Sequence, residues 1–205
     1  NLMVADAAGG IALYLTGRIP LRRAGDGSRP VPGWDGQADW DGFLPFDALP
    51  HVENPASNLL ANANNRVVPQ GHAAFLGRDW FGDWRFRRIG AMLAARPRLE
   101  PADFSAMQGD TVSLFARDVL PAVLAAPRPD GAGGAAFDLL AAWDGAMEGP
   151  RPQPLIFHAA LGRFAREVLA RAGVPEDAWR ASPELLHRLL TDPDRGQAWC
   201  GAPGC

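Results

Sequence analysis

The sequence PGWDGQADWDGFLPF at residues 32–46, followed by NPASNLLANANNRVVP at residues 54–69, is the most specific part of this 205-residue chain. Tryptophan, aspartate and glycine recur in the same order at residues 34–36 and 40–42. Three asparagines, Asn62, Asn64 and Asn65, lie within four positions. Asparagine is a poor strand former, so this density of asparagine predicts either a special backbone conformation or a functional site.

The composition is that of a globular chain that can bury a substantial core. Apolar residues make up 47% of the chain, but no apolar run approaches the ~18 residues that a membrane span needs. The first residues lack the basic and apolar regions of a signal peptide. The net charge is −3, and the basic residues are all arginine and scattered along the chain. We therefore expect neither a membrane span nor nucleic-acid binding.

The residue pattern changes near residue 70. This change predicts a strand- and loop-rich part at residues 1–69 and a helical part at residues 70–205, within one structural unit. Two apolar runs at residues 2–6 and 11–16 flank a glycine-rich turn and predict a β-hairpin. Residues 17–32 have no periodicity and predict an exposed loop, and residues 59–64 predict a third strand.

The second part carries several apolar patterns of helical period. They predict helices over residues 84–95, 110–126, 135–147 and 155–172, with Pro121 as a kink in the second of these. Gly173 and Pro175 are typical of a helix end, and Ser182 before Pro183 predicts the start of a final helix. The predicted fold class is α+β, with short strands and long loops followed by a mostly helical half.

The repeated Trp-Asp-Gly motif has three interpretations. Aspartates before glycine commonly accept hydrogen bonds from turn amides, and the tryptophans would then be buried against a sheet, which is the favoured interpretation. The carboxylates of Asp35, Asp39 and Asp41 could instead bind calcium, although their spacing is not that of an EF-hand. Trp34 and Trp40 could also form an aromatic platform for a sugar.

Cysteines, histidines and serines give weak signals. Cys200 and Cys205 could close a small disulfide loop, remain free thiols or, with two further ligands, bind a metal. The four histidines are far apart in the sequence, and the serines show no nucleophile elbow and no Ser-His-Asp set. The histidines therefore predict no metal site, and the serines predict no internal nucleophile.

The segments at residues 32–46 and 54–69 resemble the β subunit of the penicillin acylase family, amide hydrolases with an N-terminal serine nucleophile. The resemblance is strong from Asp6 to Ile89 and weaker as far as Cys205. It implies part of the αββα N-terminal-nucleophile hydrolase fold, in a parent enzyme that cleaves penicillins, other N-acyl amides or acyl-homoserine lactones. Since the first residue is Asn1, we expect an interior fragment that lacks the nucleophile and is inactive alone.

The resemblance assigns a catalytic role to Asn64. In the family, the first asparagine of the Asn-Asn pair donates a hydrogen bond to the oxyanion of the tetrahedral intermediate, and one such donor is worth about 3–4 kcal/mol. Asn62 and Asn65 would support this site. Taken from the residues alone, the three asparagines could equally form a polar turn whose side chains bind local amides.

The resemblance assigns a positioning role to Arg85. In the family, an arginine that opens the following helix holds the oxyanion asparagine. Arg87 or Arg88 could take this role if the alignment is shifted, and the residues alone also fit a helix face with three solvated arginines.

The remaining implications of the resemblance concern partners and location. No cofactor is expected; calcium is possible in the full enzyme but unsupported here, because residues 73–75 are Ala-Ala-Phe where some members carry an aspartate. The partners would be the missing α subunit, the remainder of the β subunit and a small N-acyl amide substrate, and the fragment could form a homodimer. A periplasmic or secreted location would favour a Cys200–Cys205 disulfide. The competing hypothesis is a non-catalytic structural or ligand-binding domain.

Overall fold

A computed structural model describes residues 1–201 and divides the chain into two compact units. The first unit is Asn1–Asp83, and the second begins at Trp84, whereas the sequence pattern changes near residue 70. The described residues form five β-strands, all in the first unit, and seven α-helices, all in the second. This confirms the predicted α+β class.

Two small antiparallel sheets organise the first unit. The larger sheet has the order β1-β2-β5 and consists of β1 (Leu2–Ala5), β2 (Ile11–Tyr14) and β5 (His51–Glu53). The smaller sheet pairs β3 (Pro20–Arg22) with β4 (Trp40–Phe43). The predicted hairpin is confirmed, since β1 and β2 are adjacent and antiparallel.

An aspartate and a glycine build the turn of this hairpin. The Asp6 Oδ1 atom accepts hydrogen bonds from the backbone N–H groups of Ala8 and Gly10, both at 2.8 Å. Gly9 has a φ of +93°, a conformation that costs glycine little because it has no Cβ. The turn is therefore specified by local sequence, which explains why it could be predicted.

Two predictions of secondary structure for the first unit are wrong. Residues 59–64 form no strand, because Asn58 and Asn64 adopt left-handed φ values of +52° and +62° that an extended chain does not tolerate. Residues 17–32 are not one continuous loop, since β3 lies within them and pairs with β4. The partner of β3 lies about twenty residues further along the chain, and such pairing has no local periodic signal.

The second unit is a set of packed helices. Their bounds are α1 (Trp84–Leu93), α2 (Pro101–Gln108), α3 (Leu114–Leu124), α4 (Gly131–Ala141), α5 (Pro152–Arg171), α6 (Pro183–Thr191) and α7 (Pro193–Cys200). The five predicted helices are confirmed as α1, α3, α4, α5 and α6, although α4 ends at Ala141 and not at residue 147 as predicted; α2 and α7 were not predicted. Pro121 lies inside α3, which continues to Leu124.

A single apolar cluster forms the centre of the second unit. Val119 and Phe157 are the largest of its fully buried side chains. The other buried members are Ala116, Leu120, Leu140, Trp143, Leu161 and Leu186. The Trp143 and Phe157 ring centroids are 5.3 Å apart, and such aromatic pairs add to the stability that burial provides. None of the helices that the structure describes is both long and apolar enough to cross a membrane.

Candidate active site

Residues 62–65, which we call the asparagine loop, hold their own backbone in place. The Asn62 Oδ1 atom accepts a hydrogen bond from the Asn64 N–H at 3.2 Å, and the Asn65 Oδ1 atom accepts one from the Ala63 N–H at 3.1 Å. The Asn65 Nδ2 atom donates to the carbonyl of Arg66 at 3.0 Å. The two flanking asparagines therefore satisfy the amides between them, as the polar-turn interpretation predicted.

Asn64 is the exposed residue of the asparagine loop. Its φ of +62° is left-handed, and asparagine is one of the few residues other than glycine that adopt this conformation readily. Its neighbours Ala63 and Asn65 are only 5% and 8% exposed. The loop thus buries the two neighbours of Asn64 and leaves Asn64 itself exposed.

One donor in the asparagine loop lacks a partner. The Asn62 Nδ2 atom is buried and makes no hydrogen bond among the residues that the structure describes. Buried polar groups almost always have a partner, because an unmet hydrogen bond costs about 1–3 kcal/mol.

Arg85 is the second residue of α1, and its side chain is exposed. The Arg88 side chain makes a two-point contact with Asp110, including an Nε–Oδ2 distance of 2.8 Å. These hydrogen bonds hold the pKa of the Asp110 carboxyl below its usual value, because they stabilise the carboxylate.

Asp118 of α3 provides a second link to α1. It accepts a hydrogen bond from Trp84 Nε1 at 2.9 Å and forms an ion pair with Arg87. His187 Nε2 lies 3.8 Å from the same carboxylate. Arg87 and Arg88 therefore both anchor α1 to its own unit.

Comparison with known proteins identifies the family. Residues 1–204 match the family model described as penicillin amidase. The chain belongs to the penicillin amidase family. A penicillin acylase 2 proenzyme of a Pseudomonas species is 32% identical over 99% of this chain, which covers 26% of that protein. An acyl-homoserine lactone acylase QuiP of Pseudomonas fluorescens is 32% identical over 88% of the chain and 24% of that protein.

The chain thus spans about a quarter of the length of these relatives. Among solved structures, the thermostable penicillin G acylase from Alcaligenes faecalis superposes with a TM-score of 0.70 at 23% identity. The match covers 94% of this chain and 41% of that one. This similarity establishes a shared fold with a penicillin amidase family enzyme.

The two tryptophans of the repeated motif are not buried in this penicillin amidase family chain. Trp34 is 87% exposed and Trp40 is 57% exposed, so the expectation that they are buried against a sheet is wrong. The guanidinium of Arg22 lies over the Trp40 ring, 5.8 Å from its centroid. Trp34 lies in a loop and Trp40 lies in β4. Neither position buries a side chain of this size.

The aspartates of the motif do bind backbone and arginine groups. Asp35 Oδ1 accepts a hydrogen bond from the Gln37 N–H at 3.1 Å, which confirms the predicted role in a turn. Asp41 pairs with Arg23 at 2.6 Å. Among the described residues, no three His, Cys, Asp or Glu side chains are grouped as a metal site, and the suggested trio with Asp39 does not form one.

Two histidines that are distant in the sequence lie at one cavity of the first unit. His51 and His72 line a largely apolar cavity of about 260 Å³ together with Leu13, Val52 and Val68. Their Nδ1 atoms are in contact with nearby backbone, His51 with the Leu49 carbonyl at 3.0 Å and His72 with the Ala74 N–H at 3.2 Å. Only tertiary folding brings these residues together.

The predicted disulfide remains a prediction. Cys200 is the last residue of α7, and Cys205 lies outside the described residues.

Proposed function

We propose that this chain is part of an acylase that hydrolyses linear amide bonds with an N-terminal serine nucleophile supplied by polypeptide outside it. The observation that carries the proposal is the exposed, left-handed Asn64 on a loop whose backbone its neighbours fix, in a member of the penicillin amidase family. In this proposal the strands and helices of the chain are a portion of an αββα fold.

In the proposed reaction, the serine oxygen attacks the amide carbonyl carbon and gives up its proton to the free α-amino group of the same residue. The carbonyl oxygen becomes an oxyanion, to which the Asn64 Nδ2–H group donates a hydrogen bond. The tetrahedral intermediate collapses, the protonated amine leaves and an acyl-enzyme remains. Water then hydrolyses this ester and releases a carboxylic acid. The chain alone lacks the nucleophile and is proposed to be inactive.

Arg85 is proposed to orient the Asn64 carboxamide. A guanidinium has only donors, so it can bind only the oxygen of a carboxamide. That contact would direct the amide nitrogen toward the substrate. The position of Arg85 as the second residue of α1 supports this role, because the resemblance gives it to the arginine that opens this helix.

The substrate class, the partners and the location of the enzyme are also proposals. The relatives are penicillin acylases and acyl-homoserine lactone acylases, which supports N-acyl amides as the substrate class. The partners would be an α subunit and the remainder of the β subunit, in a periplasmic or secreted enzyme. Calcium has no support from this chain, and no cofactor is needed for the proposed chemistry.

The decisive experiment replaces Asn64 in the full-length enzyme that contains this chain. Asn64→Asp keeps the size and the left-handed tolerance of the residue but removes both amide donors, so kcat should fall by about 10²–10³-fold. Asn58→Asp is the matched control, because Asn58 is also exposed and left-handed with a φ of +52°. Turnover is measured on an N-acyl amide after mass spectrometry has verified chain maturation. Unchanged kcat in matured Asn64→Asp would overturn the assignment.

A ligand-binding domain is the second candidate, favoured by the exposure of Trp34 and Trp40. A binding platform needs aromatic faces open to solvent, and both residues meet this requirement. The same experiment separates the two candidates: a full-length protein that hydrolyses no acyl amide would favour binding, and a loss of turnover in Asn64→Asp supports the hydrolase.

A further inference from the structure

We infer that Asn62 is a second positioning residue of the proposed site, in addition to Arg85. Its Oδ1 atom accepts the Asn64 N–H and so fixes the backbone of Asn64. This inference rests on the proposed role of Asn64. It adds a residue that does not contact the substrate and acts through its neighbour.

The first step is the hydrogen bond from the Asn64 N–H to Asn62 Oδ1 at 3.2 Å. A side-chain oxygen that binds the amide two residues further on forms an Asx turn, which replaces part of a backbone turn. Asn64 has a φ of +62°, a conformation that must be stabilised locally when the residue is not glycine. The Asn62 side chain provides that stabilisation and so sets the direction in which the Asn64 side chain leaves the backbone.

The second step concerns the orientation of the Asn62 carboxamide. If its oxygen and nitrogen were exchanged, the Nδ2 donors would face the Asn64 N–H, which is itself a donor. The observed orientation is therefore required, and Nδ2 must point away from Asn64. In that direction it is buried and meets no acceptor in the part of the chain that the structure describes.

The third step is the contrast with Asn65. Both polar atoms of the Asn65 side chain are satisfied within or next to the loop, by the Ala63 N–H and the Arg66 carbonyl. Asn62 alone has a buried donor left over. Asn62 therefore acts on the described part of the loop through its oxygen, whereas Asn65 uses both its oxygen and its nitrogen.

The kinetic test uses Asn62→Ala and Asn62→Ser in the full-length acylase. Asn62→Ala removes the acceptor of the Asn64 N–H, so kcat should fall by roughly 10–100-fold while KM stays within about twofold, because an interaction made only in the transition state is weakened. Serine forms the same turn more weakly and should restore part of kcat. Wild-type kcat in Asn62→Ala, or a change confined to KM, would overturn the inference.

A double-variant cycle distinguishes positioning from a general structural role. On the Asn64→Asp background, Asn62→Ala should lower the residual kcat by less than about twofold, because no oxyanion donor remains to be positioned. A full additional loss would contradict positioning. If Asn64→Asp itself has normal turnover, the proposed function fails; if only Asn62→Ala has normal turnover, the present inference fails alone.

Discussion

At the scale of single residues, asparagine is the residue other than glycine that adopts left-handed backbone conformations in the described first unit. Asn54, Asn58 and Asn64 are the described residues other than glycine with positive φ. Asn54 also binds the Ile11 N–H through its Oδ1 atom at 2.9 Å, so the same residue bends the chain and satisfies an amide. A short polar side chain can do both, and this explains why the asparagine-rich stretch forms no strand.

Substitution of Asn64 by glycine and by alanine should separate folding from function. Glycine accepts the left-handed conformation, whereas alanine should be less stable than glycine by about 1–2 kcal/mol in the free energy of unfolding. In the full-length enzyme of the proposed function, both variants lack the carboxamide and should be equally impaired in turnover. Denaturant unfolding of the purified chain measures the first effect. Equal stability of the two variants would show that the left-handed conformation is not retained in solution.

At the scale of secondary-structure elements, α1 is attached to the rest of its unit by charges as well as by packing. Arg88 and Asp110 are 27% and 16% exposed, so their contact is partly shielded from water. Trp84 adds an edge-to-face contact with Phe115, with the ring centroids 5.1 Å apart. These contacts fix the orientation of the helix that presents Arg85.

Breaking the Arg88–Asp110 pair should destabilise the chain measurably. Arg88→Gln should lower the free energy of unfolding by about 1–3 kcal/mol, because it leaves a half-buried carboxylate without its main partner. Arg163→Gln is the control: its exposed pair with Glu167 joins positions i and i+4 and is worth only about 0.3–0.5 kcal/mol. Similar losses for the two variants in urea unfolding would contradict the importance of the partly buried pair.

The Arg88–Asp110 pair also predicts the direction in which stability changes with pH. The pKa of Asp110 is lower in the folded chain than its usual value of 3.8, so the unfolded chain binds more protons in this range and stability rises with pH. The contribution should be complete above pH 3.8 and disappear as pH falls through the folded pKa. The stability difference between wild type and Asp110→Asn, measured by urea unfolding, should therefore shrink below about pH 4. A difference that grows on acidification would refute this sign.

At the scale of the whole molecule, the first unit is poor in buried apolar side chains and the second has a continuous core. The β1 residues Leu2, Met3 and Val4 are 51%, 46% and 46% exposed, and β1 lies at the edge of its sheet in the described part of the chain. Exposed apolar edge strands favour association with further strands. In a full-length acylase, other polypeptide could cover this edge.

The isolated chain should consequently self-associate. Sedimentation velocity is expected to show a dimer whose fraction grows with concentration, and Val4→Asp should reduce it, because a charge on an edge strand opposes pairing. Val31→Asp is the matched control, since Val31 is 57% exposed but lies outside any strand. A monomer at all concentrations, or equal effects of the two variants, would exclude association through β1.

Local sequence was sufficient for the helices with a clear 3.6-residue apolar period, for the β1–β2 hairpin with its glycine-rich turn, and for the family, whose ordered motifs lie close together in the chain. The short helices α2 and α7 carry little periodicity and were missed, although a proline at the first helical position marks both.

Tertiary structure alone decided which side chains are paired and which are presented. The sequence could not show that Arg87 pairs with Asp118 and Arg88 with Asp110, or that Trp34 and Trp40 remain exposed. The apolar period and the composition of a segment indicate which face of one helix or strand is apolar. Burial and hydrogen bonding depend on partners tens of residues away, and those partners are defined only when the chain has folded.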